Sequence, residues 1–247
     1  MKYRTLKYKK TGRVAYILFN TLESGDSSHE RMCSELLDVC DVVSRDDSVS
    51  VVVFGHDSGT FLYKMTTDFG SPVCKVVESV ARLDKITIAV IDGDAFGEGL
   101  EFALACDIRI ASERSRFALP NVENGKIPSG GGTQRLPRLV GQARAMEMIL
   151  TAQTVGAEEA FRIGLIQKMV SSKNIRDESD SLVQNIAEKA PVALRFCKEA
   201  VNKGADLTLE QGLRLEADMY FLIQTTSDRM EGINSFLEKR KPSFKGE

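Results

Sequence analysis

The run Ile127-Pro128-Ser129-Gly130-Gly131-Gly132-Thr133-Gln134-Arg135-Leu136-Pro137-Arg138-Leu139-Val140-Gly141 separates two parts of the chain that differ in character. Upstream, β-branched runs bounded by Gly, Asn and Asp alternate with segments of helical spacing. Residues 14–19 (VAYILF) and 49–54 (VSVVVF) read as buried strands. Between them, Met32, Leu36, Leu37, Val39 and Val43 recur at helical intervals across residues 30–45. The unit repeats: 71–83 predicts a helix, 86–91 a strand, 99–105 a short helix and 108–111 a strand. Downstream of Gly141, residues 142–150, 157–163, 177–189, 191–202, 208–224 and 227–238 all predict helices. Alternation followed by helices places the chain in the α/β class, with a helical C-terminal third.

A chain of 247 residues can bury a full core as one main domain. Lys plus Arg (33) nearly balances Asp plus Glu (35), so the molecule as a whole has no sequence-independent attraction for nucleic acid or an anionic membrane. No apolar run is long enough to span a bilayer, and the basic first 13 residues hold no signal-peptide core. Cys33, Cys40, Cys74, Cys106 and Cys197 form no C-x-x-C pair, and their odd number argues against a disulfide framework. These features predict a cytoplasmic protein, or one of an organellar matrix. His29 and His56, read as loop residues beside the first helix and second strand, have no partner at metal-ligand spacing.

Working outward from the glycine run, Asp92-Gly93-Asp94-Ala95-Phe96-Gly97-Glu98-Gly99-Leu100-Glu101 follows one buried strand and opens a short helix. Glycine lets such a turn approach a ligand closely, and the helix start offers N–H groups with partial positive charge. The turn suits an oxyanion, although an ordinary strand-to-helix turn reads the same way. Its glycine spacing is not that of a dinucleotide-binding fingerprint.

Four segments, residues 97–107, 127–141, 157–170 (AEEAFRIGLIQKMV) and 236–247 (FLEKRKPSFKGE), occur in the order that resembles the enoyl-CoA hydratase/isomerase (crotonase) superfamily. The resemblance implies an α/β fold in which residues 1–190 form a crotonase-like spiral of ββα turns and 191–247 form a helical trimerisation region. It also implies a homotrimer or a dimer of trimers and an acyl-CoA thioester substrate. Coenzyme A is then part of the substrate, and no metal, flavin or nicotinamide cofactor is expected.

Carried over residue by residue, the resemblance assigns an oxyanion hole to the backbone N–H groups of Met65 and Glu98. It assigns CoA contacts to Phe61, Leu62, Tyr63, Lys64 and Gly97, and to Phe236 and Lys239 of a neighbouring subunit. Of the two glutamates that handle water in the family's hydratases, the first falls on Glu101 and the second on Asn121. Lys64 and Glu98 stand where the family usually has glycine, and Met65 where it has alanine. An amide at 121 cannot exchange a proton near neutral pH. Glu123 becomes a possible auxiliary if its segment is extended and alternates sides, while Glu98 reads as a nearby carboxylate or a solvent-facing one. Residues 65–93 look shorter than the family's usual loop over the acyl group, which allows branched or cyclic acyl chains.

Three readings remain open at this point. The leading one is a hydratase or dehydratase using Glu101 as acid/base. The second is water-free enolate chemistry (double-bond isomerisation or decarboxylation) or thioester hydrolysis, and the third a non-catalytic acyl-CoA-binding protein.

Overall fold

The computed structural model describes residues 3–20, 26–56, 61 and 72–247. A hairpin of β1 (Leu6–Thr11) and β2 (Val14–Phe19) turns at Gly12, whose φ of 56° suits glycine. Next come α1 (Asp26–Ser44), β3 (Val51–His56), α2 (Pro72–Ala81) and β4 (Ile86–Ile91). They are followed by β5 (Asp94–Phe96), α3 (Glu98–Ala105), β6 (Ile108–Ser112) and β7 (Arg116–Ala118). A 3-10 helix (Pro120–Asn124) leads to α4 (Gly132–Val140) and α5 (Gln142–Thr151). The chain then runs through β8 (Val155–Gly156), α6 (Ala157–Arg162), β9 (Lys168–Val170), α7 (Ile175–Ala187), α8 (Pro191–Gly204), α9 (Leu209–Ile223) and α10 (Ser227–Leu237).

The larger sheet has the order β1-β2-β3-β4-β6-β9, parallel throughout except for the β1–β2 pair. Strands buried on both faces read as continuous apolar runs, as in 14–19 and 49–54. Alternate side chains divide between two cores. Val14, Val51, Val53, Ile88 and Ile110 pack with Ile175 and Val183 of α7, whereas Ala15, Ile17, Val52, Phe54, Ala89 and Ile91 join the core that includes α1 and α2. The second sheet, β5-β7-β8, is small and stands beside α3.

All eight residues of α3 are buried, and both of its ends are fixed. At the N-terminus, Gly97 adopts φ 53° and ψ −119°, and its N–H donates to the Ala118 carbonyl at the end of β7 (2.9 Å). At the C-terminus the buried Arg109 guanidinium donates to the carbonyls of Ala103 (3.3 Å) and Cys106 (2.7 Å). It also reaches the Leu165 carbonyl (2.7 Å) and the Gln167 side-chain oxygen (2.9 Å). A cation whose three nitrogens each donate to a helix end or its neighbours is stabilised despite its burial.

Beyond α7 the helices bury little within the chain. No residue of α8 is buried and only Met219 of α9 is. Lys198 ties α8 to the rest through the Lys85 carbonyl and Asp107, both at 2.8 Å. No helix among the described residues is long and apolar enough to cross a membrane.

Candidate active site

The first turn of α3 and the glycine run meet at Glu101. The side chain is fully buried, and its Oε1 accepts from the N–H groups of Gly130 (2.7 Å) and Gly132 (2.8 Å). The approach is so close that a Cβ at position 130 would lie 3.1 Å from the Glu101 Cβ. One at position 132 would lie 3.0 Å from both Glu101 Oε1 and the Pro128 Cβ. Arg135, one turn into α4, donates from Nη1 to the Gly130 carbonyl (2.7 Å) and so braces the peptide that holds the carboxylate.

The second oxygen, Oε2, is buried with no hydrogen-bond partner among the described residues. Burial pushes the Glu101 carboxyl above its ordinary value. The N–H bonds from Gly132 and Gly130 pull it back, and the nearby Glu98 charge pushes it further up. Burial also lowers Arg135, against the pull of the Glu101 charge.

Asn121 lies on the 3-10 helix, and its Oδ1 is likewise buried without a partner among the described residues. Leu119 joins this segment to the site, since its Cδ1 would stand 3.1 Å from a Cβ on Gly132. Two acceptors, one charged when ionised and one neutral, are thus left for a ligand or water to satisfy. The expectation that residues 121–123 are extended is corrected. In a 3-10 helix of three residues per turn, positions 121 and 123 diverge, and Glu123 is exposed.

Glu98 begins α3, so its N–H belongs to the first turn, whose N–H groups point out of the helix end. Its side chain does not face solvent; only 6% of the residue is exposed. Phe61 donates its N–H to the Asp94 carbonyl (2.8 Å), which sets this residue against β5. The Phe61 ring packs into the core against Phe19 and Phe102 at centroid distances of 5.6 and 6.0 Å. Leu62, Tyr63, Lys64 and Met65 lie outside the described residues. Phe236, at 81% exposure, and Lys239 are on the surface at the end of α10.

Gly97, Glu98 and Glu101 therefore lie together at the start of α3, and Asn121 follows two residues after Leu119, which lies against Gly132. The backbone donors of Gly130 and Gly132 and the brace from Arg135 had no place in the sequence reading, although the glycine run was its most distinctive signal. His29 lies within α1, and His56 ends β3, where its Nε2 accepts from the Asp92 N–H (3.1 Å); neither is a loop residue. No three His, Cys, Asp or Glu side chains among the described residues converge as a metal site requires.

The sequence model of the enoyl-CoA hydratase/isomerase family matches residues 9–247. A crotonyl-CoA hydratase of Syntrophomonas wolfei is 33% identical, with 99% of each chain covered. A mitochondrial methylglutaconyl-CoA hydratase of Rattus norvegicus is 41% identical over 72% of this chain and 58% of its own. The crystal structure of an enoyl-CoA hydratase from Bacillus anthracis superposes with a TM-score of 0.92 at 30% identity, covering 99% of this chain and all of that one.

Proposed function

The chain belongs to the enoyl-CoA hydratase/isomerase family, and on that premise we propose that it adds water to, or removes it from, an α,β-unsaturated acyl-CoA thioester. The observation that carries this reading is that two buried acceptors, Glu101 Oε2 and Asn121 Oδ1, have no hydrogen-bond partner among the described residues. Water between them would donate one hydrogen to each, with its oxygen lone pair left for the β-carbon. Glu101 is the base: held through Oε1 by two N–H groups, it takes the proton through Oε2 as the C–O bond forms. Asn121 orients the water without exchanging a proton.

The thioester oxygen gains charge as the enolate develops, and the N–H groups of Glu98 and Met65 are the donors proposed for it. Fixed donors in an enclosed site lower such a barrier by about 3 to 4 kcal/mol each. Main-chain groups of residues 61–64 and Gly97 receive the CoA, and Phe236 and Lys239 reach it from a neighbouring subunit. Lys239 acts there as a point charge beside a phosphate. The helical region 191–247 forms the subunit contacts. No cofactor beyond the substrate's own CoA enters the scheme, and a cytoplasmic or matrix setting suits its free cysteines.

The hydratases among its relatives are named for a short straight and a branched acyl group. Crotonyl- and methylglutaconyl-CoA are accordingly the first esters to incubate with the protein in 18O-labelled water. Mass spectrometry should find one labelled oxygen in the product, and Glu101→Gln should lower that rate by at least about 100-fold with ester binding retained. Deuterium exchange or carbon dioxide loss without added oxygen would instead assign the water-free chemistry, and free CoA with the labelled oxygen in a released carboxylate would assign hydrolysis.

A further inference from the structure

We infer that Glu98 supplies the second acid/base group, so that Glu98 and Glu101 act as a carboxylate pair carrying one proton and replacing the carboxylate that position 121 lacks. The inference rests on the hydratase reading. Residues 98 and 101 are three apart on α3, a spacing that brings their Cβ atoms within about 5 to 6 Å. Both are buried, Glu98 at 6% exposure and Glu101 at 0%, and Glu101 Oε2 has no partner among the described residues. Two carboxyl groups enclosed together do not both ionise; one stays protonated at a pH where an exposed pair would be fully charged. That arrangement provides a base and an acid at once.

Glu98 is also placed where the acid is needed. Its own N–H is the donor proposed for the thioester oxygen, and the α-carbon lies one bond from that carbonyl carbon. The Glu98 side chain therefore starts from the backbone atom nearest the reacting end of the ester. In the hydration step, an O–H bond of water breaks and its proton goes to Glu101, while the oxygen bonds the β-carbon. The π pair moves into the enolate. The enolate pair then takes the Glu98 proton to make the new C–H bond at the α-carbon. The pair ends with its single proton on Glu101 and resets by passing it back to Glu98.

Among the described residues, several charges on the elements packed against α3 are engaged with one another. Asp94 of β5 is bridged to Arg116 (2.6 Å), and Glu78 of α2, which is exposed, to Arg82 (2.5 Å). Arg138 of α4 is exposed and reaches Asp206 (3.4 Å), and Lys75 of α2 is exposed. Arg135 of α4 is a cation that feels the Glu101 charge.

Two measurements test the pair. First, the Glu101 carboxyl is titrated by NMR in the 13C-glutamate-labelled protein, wild type against Glu98→Gln. The Glu101 signal should report two steps in the wild type and one in Glu98→Gln, and a single step unchanged between the two proteins overturns the pair whatever the reaction. Second, kinetics on an ester that the wild type hydrates should show Glu98→Gln and Glu98→Gly each losing at least about 100-fold in kcat with KM within a few-fold. Both should also lose one limb of the pH–rate profile. Glu98→Gly keeps the backbone donor and restores the family's usual residue, so wild-type kcat in that variant overturns the assignment. Recovery of activity in the double variant Glu98→Gly/Asn121→Glu supports it. A wild type that hydrates no ester while the Glu101 titration still passes from two steps to one in Glu98→Gln supports the pair and rejects the hydratase reading instead.

Discussion

At Glu101 stability and chemistry pull in opposite directions. Burial raises the carboxyl pKa in the folded protein, so ionising it costs folding free energy. A raised folded pKa means that this residue's contribution is fully present below the unfolded carboxylate pKa and is lost as pH rises through the folded value. Glutamine keeps an acceptor for Gly130 and Gly132 without the charge. Glu101→Gln should therefore melt above the wild type at neutral pH, and the gap should close as acid protonates the wild-type carboxyl. Equal melting temperatures across that range would mean that the site does not disfavour the charge. Gly130→Ala tests the packing, since its Cβ would stand 3.1 Å from that of Glu101. On the proposed role of Glu101, it should reduce hydration by about 10- to 100-fold while leaving CoA binding within a few-fold, because displacing that carboxylate by a few tenths of an ångström acts on the chemical step. Wild-type turnover in Gly130→Ala would show that the loop yields freely. Glu101 and Asn121 could be found from their places in recognisable motifs. That Gly130 and Gly132 are the donors to Glu101 could not, because it depends on two segments about thirty residues apart meeting in space.

At the scale of elements, α3 is fixed by what grips its ends. Arg109→Met would fill similar volume but leave the Cys106 and Leu165 carbonyls without their cationic donor, while the Ala103 carbonyl keeps the Cys106 N–H (3.2 Å) and the Gln167 oxygen keeps the backbone N–H of residue 109 (2.9 Å). Each abandoned buried acceptor costs about 1 to 3 kcal/mol, partly offset by relief from burying a charge. We expect a net loss of about 3 kcal/mol, read as a lower urea midpoint at an unchanged m-value. A midpoint within error of wild type would show that neighbouring groups or water replace the guanidinium. The sequence placed α3 within one residue because its apolar run is dense and bounded by glycine and Asp107. It did not disclose β1, where Lys7, Lys9 and Lys10 break the apolar pattern on an edge strand paired on one side only. The three-residue strands β5, β7 and β9 are too short to show a period of two. In α4, Pro137 and the opening glycine mask the helical spacing.

For the whole molecule, the helices beyond α7 present apolar surface that the single chain does not cover. Val201, Leu209, Tyr220, Phe221, Phe236 and Leu237 are each at least 67% exposed, on elements that bury almost nothing internally. Single exposed apolar residues are common, but this many on three consecutive helices are what a subunit interface leaves bare when one chain stands alone. Burying a large side chain contributes roughly 1.5 to 3 kcal/mol, so a few such anchors outweigh much of the cost of association. Light scattering on the purified protein should give three or six times the 27.3 kDa chain mass. The double variant Leu209→Asp/Phe221→Asp should shift that mass toward one chain with the far-UV circular dichroism preserved, since neither side chain supports the internal core. If Phe236 and Lys239 reach the CoA of a neighbour, the same variant loses ester affinity although every residue around Glu101 is intact. A wild type of one chain mass would remove the interface reading. A monomeric variant with undiminished affinity would keep the interface but place the CoA contacts within a single chain.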